Sequence, residues 1–231
     1  MEAIIEEFEE RVGEVESYLK VLARLEDPDV VLYHRGNRRR VRVFGQDSFK
    51  VMKATVFLLI YNVVESSIRS AFGRLYEQIA KEGKTLGDVR DELRQVWVGQ
   101  QFRSITSENL SPTKYRDIAQ RLADEILQES VVKLSPELLP ISGNLDADAI
   151  RKVCRLHGVS VKTHHRSQGG GQLKTVRQQR NGLGHGNVSF TDCGQQYAVS
   201  DLKRIKQQAE VFVRGILKNI KRYLDDGDYA V

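Results

Sequence analysis

An arginine, an asparagine and a histidine stand close together in Arg180-Asn181-Gly182-Leu183-Gly184-His185-Gly186. Together these side chains can act on a phosphodiester without a metal. The guanidinium is permanently charged and fork-shaped, suited to holding a phosphate through paired N–H donors. The imidazole can take and return a proton near neutral pH. Asn181 precedes His185 by one helical turn, so its amide is placed to fix the imidazole tautomer. Arg180 lies one residue further back, roughly 140° round an ideal helix from His185. The two can meet over one phosphate only if the helix ends near His185 or a second copy completes the site. The three glycines favour an end there, because glycine weakens a helix interior and commonly stops a helix at its C-terminal cap. The same residues also suit an ordinary solvated helix end, and Arg151 with His157 offers a looser match to the same spacing.

The 231 residues are enough to bury one good-sized core. A hydrophobic content of 40% with 29% charged residues belongs to a folded globular chain rather than a disordered one. The longest apolar run, Ala54 to Tyr61, is too short to cross a bilayer, so no membrane partner is expected. The Glu-rich start does not read as a secretory signal. Cys154 and Cys193 lack CxxC spacing and read as reduced thiols of a cytoplasmic protein. His164 and His165 are adjacent rather than spaced as helical metal ligands, and no metal or other cofactor is expected. The net charge of +5 conceals an asymmetry. Residues 151–222 hold 15 lysines and arginines against 3 acids, a net +12; the rest holds 21 against 28, a net −7. Such a basic third suits a polyanion such as nucleic acid, or else a set of solvated helix faces.

The elements that must position the cluster read as mostly helical. Residues 2–26 carry Ile5, Phe8, Val12, Val15, Leu19 and Leu22 at three- and four-residue steps, an amphipathic helix ended by Asp27-Pro28. Residues 30–44, with a Gly-Asn turn between short apolar runs, suggest a small β-hairpin with a basic tip. A long helix over about 48–82 follows, with the stripe Val51, Ala54, Leu58, Tyr61, Glu65, Ile68, Phe72, Leu75 and Ile79. Glu65 is out of place in that stripe: a carboxylate there needs an ion-pair partner, expected from another helix, or a catalytic use. Tyr61 and Asn62 extend the polar interruption. Further helices are expected over 88–99 with Trp97, over 112–128 capped by Ser111, and over 147–156 capped by Asp146, with a short strand at Val131-Val132. The segment His164 to Gly171 reads as a flexible basic loop, or as a flap that touches RNA. A helix over 172–185 then delivers the cluster, a loop with Phe190 and Tyr197 follows, and Ser200 or Asp201 caps a final amphipathic helix. That helix sets Lys203, Arg204, Lys206, Arg214, Lys218 and Lys221 opposite its apolar stripe. No repeat or linker divides the chain, so one domain over 1–231 is expected, with its core at 48–224 and residues 1–46 as an extension.

Three stretches carry a resemblance: Leu59 to Glu65 on the long helix, Ser142-Gly143-Asn144-Leu145-Asp146, and Val176 to Gly186 with Phe190 after it. In order and spacing the chain resembles the HEPN superfamily, and most closely its MAE-type HEPN-like nucleases, with Gly184 where that group often has alanine. The resemblance implies an all-α helical bundle around a long central helix. It also implies a metal-independent endoribonuclease, acting as a homodimer whose two motifs share a cleft and leaving 2′,3′-cyclic phosphate ends. In that reading His185 moves the proton, Arg180 binds the phosphate, Asn181 orients His185, and Glu65 pairs with Arg180 or keeps the site rigid. Tyr61 and Asn62 lie in support. The basic side chains just upstream, His165, Arg166, Lys174 and Arg177, are candidate RNA contacts. Family members often serve as toxins or defence effectors, which implies an antitoxin or defence-system partner. The alternatives are a non-catalytic RNA-binding or assembly module of the same fold, and a helical subunit of a restriction-type complex.

Overall fold

The most hydrophobic segment of the chain becomes the central post of a helical bundle. In the computed structural model the described residues are 1–27, 30, 45–103, 111–141 and 143–231. They form eight α-helices: α1 (Glu2–Glu26), α2 (Gln46–Lys81), α3 (Asp91–Arg103), α4 (Pro112–Leu127), α5 (Ala147–Leu156), α6 (Gln172–Gly184), α7 (Phe190–Gln195) and α8 (Val199–Asp225). The hairpin expected over 30–44 lies outside the described residues except for Val30. At Val131 only an isolated antiparallel bridge to Thr85 forms, in place of the expected strand.

Helix α2 runs without proline, and its stripe buries Ala54, Tyr61, Ile68, Phe72, Leu75 and Ile79, while Val51 is exposed at its first turns. By length and composition α2 is apolar enough to cross a membrane. Here α1, α6, α7 and α8 pack around it. Burial of these side chains, at about 25 cal/mol per Å² of apolar surface, is the main stabilising term. Helix α1, expected as an extension, gives Phe8, Val12, Val15, Leu19 and Leu22 to the same core.

The charge asymmetry seen along the chain is partly cancelled in space. Acidic α1 lies along basic α8, where Arg214 grips Glu9 with two bonds of 2.7 and 2.6 Å and also reaches Glu210 at 2.6 Å. Lys206 contacts Glu210 and Glu16, and Lys221 contacts Glu2 at 3.1 Å. Four of the six cations placed opposite the apolar stripe of α8 are thus paired, Arg204 among them through Asp201 at 2.9 Å.

Local signals placed several helix ends. The Ser111 hydroxyl accepts from Lys114 N–H at 3.4 Å, and Asp146 Oδ1 accepts from Ala149 N–H at 2.9 Å. Two differences concern the last third. The stretch after His185 is not all loop: Ser189 caps α7 by accepting from Asp192 N–H at 3.0 Å. Helix α8 begins at Val199, and Asp201 acts from inside it, accepting from Ala198 N–H at 3.2 Å.

Candidate active site

Helix α6 ends where the glycines indicated. Gly184 is its last residue and His185 its C-cap. Gly186 adopts φ +70°, Asn187 N–H donates to Gly182 O at 2.9 Å, and Gly186 N–H donates to Leu183 O at 3.3 Å. This crossed pair of bonds around a left-handed glycine is the Schellman cap. It fixes the backbone at His185 and leaves the imidazole exposed to solvent. Among the described residues the His185 ring has no hydrogen-bond or ionic partner.

Arg180, five residues back, is held firmly. Its guanidinium carbon sits 4.7 Å from the centre of the Tyr61 ring. Its Nη1 donates to Asn181 Oδ1 at 3.1 Å and to Gly143 O at 3.4 Å. A cation over an aromatic face gains about 0.5–2 kcal/mol, more as water is excluded. Tyr61 is itself buried, and its hydroxyl accepts from Leu145 N–H at 3.2 Å. Burial raises the phenol pKa; the Glu65 charge raises it further, while the Leu145 N–H and Arg180 oppose. Tyr61 therefore stays a neutral platform rather than a base.

One short loop between the 3-10 turn Pro136–Leu138 and α5 organises these groups. Ile141 O accepts from Arg69 at 2.9 Å, Gly143 O from Arg180, and Asn144 Oδ1 from Asn181 Nδ2 at 2.7 Å. Leu145 N–H binds Tyr61, and Asp146 Oδ2 meets Arg177 at 2.6 Å. Ile141 and the four residues Gly143 to Asp146 thus tie α2, α5 and α6 together around Arg180. Sequence reading marked this stretch as a likeness but gave Asn144, Asp146 and Arg69 no role at the site. The only local signal was the Asp146 cap.

Several expected roles change. Among the described residues Glu65 forms no ion pair with Arg180 or with another helix: its carboxylate lies 3.2 Å from Arg69, one turn along α2. The loop explains the choice, since Ile141 O holds Arg69 beside Glu65 while Gly143 O draws Arg180 away. Among the described residues Asn181 makes no hydrogen bond to His185: its oxygen accepts from Arg180 and its nitrogen donates to Asn144. Arg177 is neutralised by Asp146 and joins α6 to α5 rather than standing free. Asn62, Lys174, His165 and Arg166 are exposed.

The glycine-rich segment is not an open flap. His165–Gly170 form tight 3-10 turns across a left-handed kink at Gln168 and Gly169, pinned by Ser167 Oγ donating to His164 O at 2.7 Å and by Arg151 bonding to Gly169 O. Gly170 is there for contact, not flexibility: a Cβ at this position would stand 2.7 Å from the Phe212 ring. The looser motif match also resolves. His157 is fully buried, with one ring nitrogen 2.7 Å from Tyr76 OH and the other 2.7 Å from Val153 O. Burial lowers its pKa to about 4. It is a neutral core histidine, while His185 is the exposed one.

Both cysteines are free and buried, and burial pushes the Cys154 thiol to about 12 and the Cys193 thiol to about 11. Among the described residues no group of three or more His, Cys, Asp or Glu side chains is arranged to hold a metal ion. A family model described as MAE_28990-like HEPN matches residues 1–229. No curated protein and no solved structure matches the chain significantly.

Proposed function

Because the chain belongs to the MAE_28990-like HEPN family, a nuclease-associated group, we propose that it is a metal-independent endoribonuclease. The observation that carries this reading is the state of Arg180. Three arginines surround the loop 141–146; Arg69 faces Glu65 and Arg177 faces Asp146. Arg180 has no carboxylate partner among the described residues and is held instead by an aromatic face, a carbonyl and an amide. Its Nη1 is used by the protein, while among the described residues Nη2 and Nε have no acceptor and remain for an anion. A fixed guanidinium whose charge is left uncancelled stabilises negative charge building on phosphate oxygens.

The chemistry follows from the groups present. The ribose 2′-oxygen attacks the adjacent phosphorus as its proton passes to one imidazole. The bond from phosphorus to the 5′-oxygen breaks, and that oxygen takes a proton from a second imidazole. The products are a 2′,3′-cyclic phosphate and a 5′-hydroxyl. One His185 serves as base and His185 of the partner subunit as acid, in a homodimer that sets the two α6 ends across one cleft. Because the nucleophile belongs to the substrate, DNA is not cut. General acid–base catalysis of this kind contributes about 10²–10⁴-fold.

The test is cleavage of RNA by purified protein in EDTA, with end-group analysis, beside His185→Ala. Absence of cleavage by the wild type, or equal cleavage by the variant, sinks the proposal. A role as toxin or defence effector held in check by a partner protein extends it. Growth arrest on expression of the wild type, absent for His185→Ala, tests that extension. One observation favours a non-catalytic RNA-binding module as the second reading: among the described residues no side chain of the same copy fixes the His185 tautomer. Salt-sensitive RNA binding that His185→Ala leaves intact, with no cleavage by either protein, would select it.

A further inference from the structure

The polar side chains beside Arg180 are wired in one direction. A guanidinium only donates, so Asn181 must turn its oxygen to Arg180, at 3.1 Å. Its nitrogen then faces Asn144 and donates to Asn144 Oδ1 at 2.7 Å. Asn144 must in turn present its oxygen inward, which leaves its NH₂ facing outward. That nitrogen has no acceptor among the described residues, and Asn144 is exposed at the rim of the site. The backbone on each side is anchored. Gly143 is held in a left-handed turn at φ +56° with its carbonyl on Arg180, and buried Leu145 gives its N–H to Tyr61. The outward amide is therefore a pair of N–H donors of fixed direction, two hydrogen bonds away from the Arg180 guanidinium.

We propose that Asn144 is a substrate-contacting residue, whose Nδ2 donates to an acceptor oxygen of the nucleotide next to the phosphate bound by Arg180. This rests on the reading of the site as an RNA-binding centre, not on cleavage itself. An oriented amide donor pair can serve a non-bridging phosphate oxygen or a base carbonyl, and the two differ in consequence. A phosphate contact strengthens binding alike for all sequences, whereas a base contact selects among them.

The experiment measures binding of four 2′-O-methyl homopolymer oligonucleotides, which block attack, to wild type, Asn144→Ala and Asn144→Asp, with thermal melts as a folding control. Asn144→Ala is expected to weaken binding about three- to ten-fold, the worth of one hydrogen bond. A loss shared by all four oligonucleotides identifies a phosphate oxygen, and one confined to particular bases identifies a base carbonyl. Asn144→Asp keeps the acceptor that Asn181 needs but loses the donor and turns a negative oxygen toward the acceptor of the nucleotide, so it is expected to bind more weakly than Asn144→Ala. Two results overturn the proposal: unchanged binding by Asn144→Ala, or wild-type binding by Asn144→Asp, which would reduce Asn144 to holding Asn181. Because 2′-O-methyl RNA cannot be cut, failure of the nuclease reading shows separately, in the cleavage assay.

Discussion

The Arg180 guanidinium lies over the Tyr61 ring, its carbon 4.7 Å from the ring centre, and Tyr61 is in turn fixed by Leu145 N–H at 3.2 Å. The cation is placed by a buried platform on α2 rather than by its own helix. Tyr61→Phe is expected to keep the stacking face but leave the Leu145 N–H unpaired in a buried setting. That should cost about 1–3 kcal/mol of stability, a fall in Tm of about 2–4 °C per kcal/mol for a chain of this size. A scanning melt measures it; RNA affinity should drop less than for Tyr61→Ala, which removes the platform itself.

Arg180→Lys should rescue little. An ammonium keeps the charge, but it lacks the planar fork that meets Asn181 Oδ1 and Gly143 O while stacking on Tyr61. The expected outcome is that kcat/KM for RNA falls about 10²–10³-fold in both Arg180→Lys and Arg180→Ala. Steady-state kinetics would decide, and near-normal activity of the lysine variant would show that charge alone suffices.

His157 makes stability depend on pH in a defined window. Its ordinary value of 6.5 is lowered to about 4 by burial, so the folded state resists a proton that the unfolded chain accepts. The folded state is then fully favoured above about pH 6.5 and loses about 3 kcal/mol as the pH falls to about 4. Glu9, lowered chiefly by its bond to Arg214, adds a loss only further down, below its ordinary 4.5. Urea unfolding between pH 4 and 7 should show the decline, and His157→Gln should flatten it.

Gly170→Ala tests whether the glycine-rich turn is packed or pliant. The residue combines φ +72° with a would-be Cβ 2.7 Å from Phe212 and 2.9 Å from Ala147 Cβ. Both strain and overpacking oppose a side chain, so a loss of about 2–4 kcal/mol is expected. Chemical denaturation measures it. A neutral result would return the segment to a loose flap. Gly184→Ala, with open space at its Cβ, serves as the contrasting control.

What local chemistry governs was legible before the fold was. The apolar steps of α1, α2 and α8, the caps at Ser111 and Asp146, and the stop at Gly186 each depend on groups within a turn or two of one another. A hydrogen bond to the third residue along, or a left-handed φ that glycine tolerates, leaves its mark in a short string of residues. The short helix α7 was missed although Ser189 and Asp192 have capping spacing, because too few apolar residues repeat behind them.

The partners of charged groups were decided only by the tertiary structure. The partner of Glu65 was expected from another helix, with Arg180 as the one the resemblance implied, yet Arg69 four residues along the same helix takes the place; the carbonyls of Ile141 and Gly143 sort the two arginines. Asn181 lies one turn from His185 yet turns to Asn144, 37 residues back. The basic third of the chain meets Glu2, Glu9 and Glu16 from the opposite terminus. Gly170 proved to be a point of close approach to Phe212 and Ala147. A long, flexible charged side chain reaches several partners at nearly equal cost, so the packing of distant segments, which periodicity does not encode, makes the choice.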